Sequence, residues 1–218
     1  MRNPWVDLPV HAPFILREDL PGIGRYDHAH PNRQVRTNVL PVPFLGNPAG
    51  ARVLLLSLNP GYSDQGARLL AENVCYADAH RRALLFSADP PFFYLSPEFA
   101  DTSGYRWWSA KLSALIARVG RARVMADVSC IEYFPYASVA YHPFGEYLPS
   151  QYFGFHLVRQ AMQNQKVIVI MRSVSRWLAA VPELTQYPYM STRNVRNPTI
   201  SPGNIPDGRF EEIVRVLG

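Results

Sequence analysis

The sequence predicts an α/β protein with three layers, in which helices cover both faces of a central, mostly parallel, four-stranded sheet. Two short runs, residues 53–58 and 166–171, are almost continuously apolar. Such runs are typical of strands buried on both faces of a parallel sheet. Patterns of helical periodicity separate the apolar runs, and strands that alternate with helices imply parallel pairing through helical crossovers.

The segment before the first apolar run predicts little regular structure. Residues 1–50 contain eight prolines, including Pro41-Val42-Pro43, and show few helical or alternating patterns. We therefore expect this segment to wrap the core as an irregular arm. A chain of 218 residues suits one well-buried core, so residues 1–218 are predicted to form a single domain.

The remaining elements follow from apolar spacing and from the residues that stop helices. Apolar residues three and four positions apart predict helices, and Gly120 is typical of a helix end. After the first strand at 53–58, the predicted elements in chain order are a helix at 64–82, an amphipathic helix at 105–119, a strand at 124–133, a helix at 150–164, a strand at 166–171, a short helix from Ser173 to Leu178, a strand at 187–192 and a closing helix at 209–217.

Composition narrows the class of protein. Hydrophobic residues make up 48% of the chain and charged residues 18%, which excludes wholesale disorder. No apolar run approaches the roughly 20 residues of a membrane helix, and the first residues lack a secretory signal, so we expect a cytoplasmic monomer without membrane contact. Cys75 and Cys130 are expected to be reduced packing residues, and no metal cluster or other cofactor is predicted.

The charge pattern is compatible with a nucleic-acid partner. The net charge is +5, and Lys111 and Lys166 are the only lysines, so arginine supplies almost all of the positive charge. Arginine is the side chain best suited to bidentate contact with phosphate. A balance this modest also occurs in proteins that do not bind nucleic acid.

Four predicted strand ends deliver loops to one edge of the sheet, at residues 59–63, 132–138, 172–175 and 197–204. Open α/β sheets bind ligands at this edge. Asn59 directly follows the first strand and precedes Pro60-Gly61, which lets the chain turn sharply. Asn-Pro-Gly is also ordinary turn chemistry, so this motif alone leaves a functional and a purely structural interpretation open.

Taken together, residues 50–205 resemble the uracil-DNA glycosylase superfamily. Leu58-Asn59-Pro60-Gly61 is similar to the first motif of its mismatch-directed uracil/thymine branch, and Gly104-Tyr105-Arg106-Trp107-Trp108 is similar to a helix of that branch. The segment 197–204, Asn-Pro-Thr-Ile-Ser-Pro-Gly-Asn, is similar to the closing loop of the single-strand-selective branch. The resemblance implies a glycosylase-like fold.

The resemblance also implies catalytic roles. Asn59 would hold the attacking water, and Asn197 would stabilise the departing base, although the family commonly has His at that place. A second departure is Glu132, where several branches read uracil with Asn. An amide offers both a donor and an acceptor, whereas a carboxylate only accepts. Glu132 therefore pairs with a base that presents adjacent N–H groups, or it is a structural residue.

The remaining candidates would hold DNA. A flipped base must be stacked, its gap filled and its phosphates bound. The aromatic stacking candidates are Tyr62, Phe92 and Phe93, for each of which core packing is the alternative. The predicted base-binding residues are Tyr62, Phe93, Glu132 and Phe134, and the predicted nucleic-acid contacts are Ser63, Ser138, Arg172, Arg196, Ser201 and the wedge Ile200. The serines could instead cap helices or turns.

The leading functional hypothesis is a DNA-base glycosylase that hydrolyses the N-glycosidic bond of a damaged or deaminated base flipped out of single- or double-stranded DNA. It would be monofunctional, because no lysine lies on the four loops to form a Schiff base. The first alternative is a non-catalytic module that binds nucleic acid or a nucleobase on the same scaffold. The second is an unrelated small-molecule hydrolase, which is disfavoured because no nucleophile motif or phosphate-binding glycine loop is present.

Overall fold

The computed structural model describes residues 1–218 and contains a five-stranded sheet. Its strands are β1 (Phe44–Leu45), β2 (Val53–Ser57), β3 (Val128–Glu132), β4 (Val167–Ile170) and β5 (Met190–Ser191). Their order across the sheet is β1-β3-β2-β4-β5, and every pair is parallel except β1 with β3. The predicted mostly parallel sheet is confirmed, and the two apolar runs are adjacent, parallel inner strands.

The predicted count of four strands is wrong, because β1 adds a fifth at the edge beside β3. Phe44 pairs with Ile131 and Leu45 with Cys130 in an antiparallel register. The strand lies in the proline-rich segment and has only two residues, between Pro43 and Gly46. A two-residue strand is too short to show the alternation by which strands are found in a sequence.

Nine α-helices accompany the sheet. They are α1 (Leu20–Ala29), α2 (Asp64–Glu72), α3 (Val74–Leu84), α4 (Ser103–Lys111), α5 (Ser113–Val119), α6 (Arg121–Asp127), α7 (Gln151–Gln163), α8 (Val174–Ala180) and α9 (Phe210–Leu217). None of them combines the length and the apolar character that crossing a membrane would require.

Two helix predictions and one strand prediction need correction. The helix expected at 64–82 is divided at Asn73, whose side chain accepts a hydrogen bond from the Tyr76 N–H and so starts α3. The helix expected at 105–119 is divided at Leu112. The strand expected from residue 124 begins at Val128, because α6 occupies the preceding residues. Short apolar segments do not distinguish one helical turn from a strand.

The two faces of the sheet carry separate apolar cores. Leu54 and Leu56 of β2 pack with Phe155 of α7 and Trp177 of α8 on one face. Alternate side chains of the same strand, such as Leu55, pack on the other face with residues of α4, α5, α6 and α9. The protein therefore has the predicted three layers, with helices on both faces of the sheet.

The segment 1–50 is more ordered than predicted. It contains α1 and β1, and its residues Trp5, Ile15 and Ile23 belong to the same core as Leu54 and Leu56. Buried Asp19 anchors it, since this carboxylate accepts hydrogen bonds from the Tyr136 hydroxyl (2.6 Å) and from the Ser150 N–H (3.0 Å). A single polar cluster thus ties the arm to the loop that follows β3.

We expect Tyr136→Phe to lower the free energy of unfolding by about 2–3 kcal/mol, because it removes the hydrogen bond from the Tyr136 hydroxyl to the buried Asp19 carboxylate, which then keeps only the Ser150 N–H as a donor. The Leu16 N–H, which donates to the same hydroxyl at 3.2 Å, also loses its partner. Urea unfolding measures the change. Tyr152→Phe is the matched control, since Tyr152 is exposed. A loss for Tyr136→Phe no larger than that of the control would contradict the anchoring role.

Candidate functional site

A cavity of about 590 Å³ opens at the edge of the sheet where β2, β3 and β4 end. The register aligns these ends, because Ser57 pairs with Glu132 and Leu56 pairs with Ile170. Residues that directly follow the strands therefore meet at the cavity. Its walls come from the arm, α2, α3, α4 and the loop after β3. This volume lies within the range of small-molecule binding pockets in proteins.

Asn59 is held in one orientation at the end of β2. Its side-chain Nδ2 donates to the Pro60 carbonyl at 3.0 Å and to the Ser138 Oγ at 2.9 Å. Both amide hydrogens are therefore engaged, and Oδ1 has no protein donor. The side chain presents an acceptor to the cavity that it lines. An acceptor fixed in this way can orient a water molecule.

Glu132 is the one acidic side chain that lines the cavity, and Arg172 is its one cationic side chain. Glu132 is 9% exposed, and its Oε2 is buried without a hydrogen-bond partner. Burial raises the pKa of Glu132 to about 7, although the neighbouring Ser57 and the Arg172 guanidinium oppose part of this rise. The Nε of Arg172 is likewise buried without a partner. Two side chains that line the cavity therefore carry a buried, unsatisfied acceptor and a buried, unsatisfied donor.

A chain of hydrogen bonds fixes the hydroxyl of Tyr94, which also lines the cavity. The Nδ1 of His80 lies 2.8 Å from the Tyr76 carbonyl, which only accepts, so Nδ1 carries the proton. The Nε2 of His80 must then accept from the Tyr94 hydroxyl, also at 2.8 Å. Burial lowers the pKa of His80 to about 4, which keeps the imidazole neutral. Tyr94 consequently offers only lone pairs to a ligand.

Cations flank the aromatic walls of the cavity. Three lining rings, those of Tyr62, Trp107 and Tyr141, each have a basic group within 6 Å of the ring centroid. The pairs are Arg36 with Tyr62 (5.1 Å), Lys111 and Arg172 with Trp107 (5.4 and 5.9 Å), and Arg176 with Tyr141 (5.6 Å). Flat rings for stacking and positive charge for phosphates thus occur around the same opening.

The structure brings half of the predicted site residues together. Those that line the cavity are Asn59, Tyr62, Ser63, Glu132, Ser138 and Arg172. Two of the serines make structural bonds: Ser63 caps α2 by accepting from the Gly66 N–H at 3.1 Å, and buried Ser138 holds Asn59. Ser138 is therefore placed to position Asn59 and is not exposed for contact with a phosphate.

The other predicted residues lie outside the cavity. Phe93, Phe134 and Ile200 are 1%, 1% and 0% exposed and pack in the core, as does Phe92 at 0%. The core alternative holds for these side chains. The side chain of Ile200 is enclosed, and its role as a wedge stays a prediction.

The closing loop lies beside the cavity. The exposed Asn197 accepts from Lys111 Nζ at 2.5 Å, and the Arg196 carbonyl accepts from Arg172 at 3.3 Å. The Ser201 hydroxyl pairs within the loop with Thr199 at 3.2 Å. Asn204 holds the loop together through its Nδ2, which donates to the carbonyls of Asn197 and Thr199. Asn197 thus lies outside the cavity that Asn59 lines.

Sequence reasoning missed Trp107, Tyr94 and His80 as cavity residues, together with the wall supplied by Val39, Leu40 and Val42 of the arm. The signal for Trp107 was present, since Trp108 occupies the core-facing stripe of α4 and its neighbour must point about 100° away. The contribution of the arm had no local signal.

The prediction that both cysteines are packing residues is wrong for Cys75, which is exposed, whereas Cys130 is buried as expected. No three His, Cys, Asp or Glu side chains are grouped to hold a metal ion.

We expect the stability of the protein to depend on the protonation of Glu132. Its folded pKa of about 7 lies above its ordinary value of 4.5, so the folded chain binds the proton more tightly. The resulting stabilisation is complete below pH 4.5 and is lost as the pH rises through 7. As the pH rises from 4.5 to 8, the free energy of unfolding of Glu132→Gln should therefore increase by about 3 kcal/mol relative to that of the unmodified protein.

Unfolding free energies measured across this pH range test the expectation. Glu72→Gln on α2 is the control, because Glu72 is exposed and outside the cavity. A difference between the Glu132→Gln protein and the unmodified protein that stays constant with pH would show that this carboxyl does not titrate near neutrality.

Comparisons with known proteins identify no relative. No protein-family model, no curated protein and no solved structure matches this chain significantly. The resemblance to the uracil-DNA glycosylase superfamily therefore depends on the sequence motifs alone, and membership of that superfamily is a hypothesis.

Proposed function

We propose that the cavity receives a base flipped out of DNA and that the protein hydrolyses its N-glycosidic bond. The observation that carries this proposal is the convergence of Asn59, Glu132 and Arg172 from three neighbouring strand ends on one cavity with aromatic walls. A duplex hides its bases, so an enzyme that acts on a base must take it out of the stack into such a pocket.

The chemistry requires groups on two sides of the scissile bond. The sugar becomes oxocarbenium-like while negative charge develops on the base. On the side of the sugar, Asn59 can hold the attacking water through its free Oδ1. Arg172 supports the other side, since its guanidinium lines the cavity and places a positive charge near the departing base. In this assignment Arg172 takes the role that the resemblance gave to Asn197.

The mouth of the cavity suits a nucleic-acid strand. Trp107 and Tyr62 offer ring faces for stacking, and Arg36, Lys111 and Arg172 lie against those rings. Arg196 is exposed on the neighbouring closing loop. Base stacking is tolerant of sequence, and backbone charges bind any phosphate, so this combination favours DNA without a sequence preference.

A second candidate function is a binding module that holds the base without cleaving it. The specific observation in its favour is the position of Asn197, which is engaged by Lys111 and does not line the cavity. A panel of single- and double-stranded oligonucleotides that carry uracil, mismatched thymine, hypoxanthine, xanthine or alkylated bases separates the two functions. Abasic-site formation on any strand excludes the pure binding module.

If the protein is a glycosylase, Asn59→Ala should lower single-turnover cleavage by on the order of 100-fold, the scale seen when one key polar group is removed, with DNA affinity nearly unchanged. The matched control is Asn197→Ala, which removes an amide outside the cavity and should lower the rate far less. Equal losses in the two variants, or a turnover that is insensitive to Asn59→Ala, would contradict the role of Asn59.

Binding to single-stranded DNA should weaken as salt rises, because phosphate contacts release counterions. Arg196→Gln should reduce the slope of log K against log salt by about 1 if Arg196 contacts a phosphate. Arg215→Gln on α9 is the control for loss of an exposed positive charge elsewhere. A flat salt response, or no binding at low salt, would contradict both nucleic-acid functions together.

A further inference from the structure

We propose that the cavity selects a base with a guanine-type edge, in which an imino N–H and an amino group lie side by side next to a carbonyl oxygen, and that Glu132 reads the two N–H donors. The inference rests on the proposed function, since it names the class of base that the cavity would accept. It applies equally to guanine derivatives in which damage elsewhere on the ring leaves this edge intact.

The first argument is the unsatisfied carboxylate. Glu132 is 9% exposed, lines the cavity, and has its Oε2 buried without a partner. A buried polar atom without a hydrogen bond costs free energy, so an atom of this kind on a side chain that lines a cavity is best explained by a ligand that supplies the missing donor. A carboxylate has two oxygens side by side and matches two adjacent N–H groups.

The second argument is that two further polar side chains of the cavity, Asn59 and Tyr94, also act as acceptors, because their hydrogens are committed to protein partners. The Tyr94 hydroxyl hydrogen is committed to His80, and the hydrogens of the Asn59 amide are committed to Pro60 and Ser138. A ligand therefore meets lone pairs at all three positions. Uracil and thymine present one N–H between two carbonyls, so they would place a carbonyl oxygen against an acceptor.

The third argument is the single cationic donor. Arg172 is the only cationic side chain that lines the cavity, since His80 is neutral, and its guanidinium acts on the charge of Glu132. One cationic donor near one carboxylate complements a carbonyl oxygen beside two N–H groups. The hydrogen-bonding groups of the site are thus complementary to the guanine edge: Arg172 supplies a donor for the carbonyl oxygen, and Glu132 supplies two acceptors for the N–H groups.

Binding of such an edge should depend on pH. The groups that face Glu132 are Cys130 of its own strand, Tyr94 and, beyond Tyr94, His80, as well as Arg172 after β4. Burial raises the pKa of Cys130 and of Tyr94 well above the ordinary values, and the pKa of His80 is about 4. Glu132, with a pKa of about 7, is thus the group in this cluster that changes charge between pH 5.5 and 8.

The test is isothermal titration of the full chain at pH 8 with four probes. Deoxyguanosine carries both N–H groups, deoxyinosine lacks the amino group, 2-aminopurine deoxyriboside lacks both the imino N–H and the carbonyl oxygen, and thymidine has one N–H between carbonyls. We expect deoxyguanosine to bind about tenfold or more tightly than each of the others, because each analogue leaves a buried acceptor unpaired. Its affinity should fall by about tenfold or more between pH 8 and 5.5, since the carboxylate is then protonated.

Glu132→Gln keeps the shape of the side chain but replaces one acceptor with a donor. This substitution should weaken the binding of deoxyguanosine by about tenfold or more and abolish its pH dependence. Deoxyinosine should bind as tightly as before or more tightly, because an amide matches an N–H beside a carbonyl. The control Glu72→Gln should change none of these values. Equal binding of deoxyguanosine and thymidine, no binding of any probe at millimolar concentration, or unchanged deoxyguanosine binding in Glu132→Gln would overturn the inference.

The outcome is separable from that of the proposed function. Cleavage of strands that carry uracil or thymine, together with a preference for thymidine over deoxyguanosine, would overturn the guanine-type edge and leave the glycosylase standing. If the protein binds deoxyguanosine selectively but forms no abasic site on any strand, including strands that carry guanine derivatives, the result would support recognition of the guanine-type edge and favour the binding module.

Discussion

The structure depends on the burial of β2 on both faces between two parallel neighbours. Its five residues Val53–Ser57 are all buried, and the strand shares a continuous register with β3 on one side and β4 on the other. Because the three strands are parallel and aligned, their carboxyl ends reach the same edge at the same height. The convergence of Asn59, Glu132 and Arg172 is a direct geometric consequence of that packing.

The apolar burial that builds the sheet also sets the chemistry at its end. Glu132 is the last residue of a strand whose five residues are all buried, and it shares their environment. Water is largely removed from its carboxyl, which raises its pKa and leaves Oε2 unpartnered. Groups of this kind reduce stability, and proteins retain them most often at functional sites. The buried position of Glu132 at the end of β3 is therefore stronger evidence for a functional role than its residue type.

The cavity is completed by segments that do not belong to the sheet. The arm lies along the loop after β3, where the Arg36 N–H donates to the Ala137 carbonyl and the Val42 N–H donates to the Pro135 carbonyl. The arm thereby closes one wall, and α4 closes another with Trp107. Gly104 lets α4 approach the Tyr94 ring closely, since a Cβ at residue 104 would lie 3.2 Å from that ring. Loss of the Asp19 anchor would thus affect the site as well as the fold.

The sequence by itself determined the layers, the parallel inner strands and the edge at which the site lies, because two-sided burial and helical periodicity are recorded in local residue patterns. It also placed Asn59, Glu132 and Arg172 at that edge. It did not determine β1, the break at Leu112 or the closing of the cavity by the arm, since these depend on contacts between distant segments. Whether an aromatic faced the core or the cavity was equally open: Phe93 and Phe134 are enclosed, whereas Trp107 is not. Only the tertiary structure decided the hydrogen-bond partners that orient Asn59, Tyr94 and Asn197, because a polar side chain takes its direction from whichever donors and acceptors the fold brings beside it.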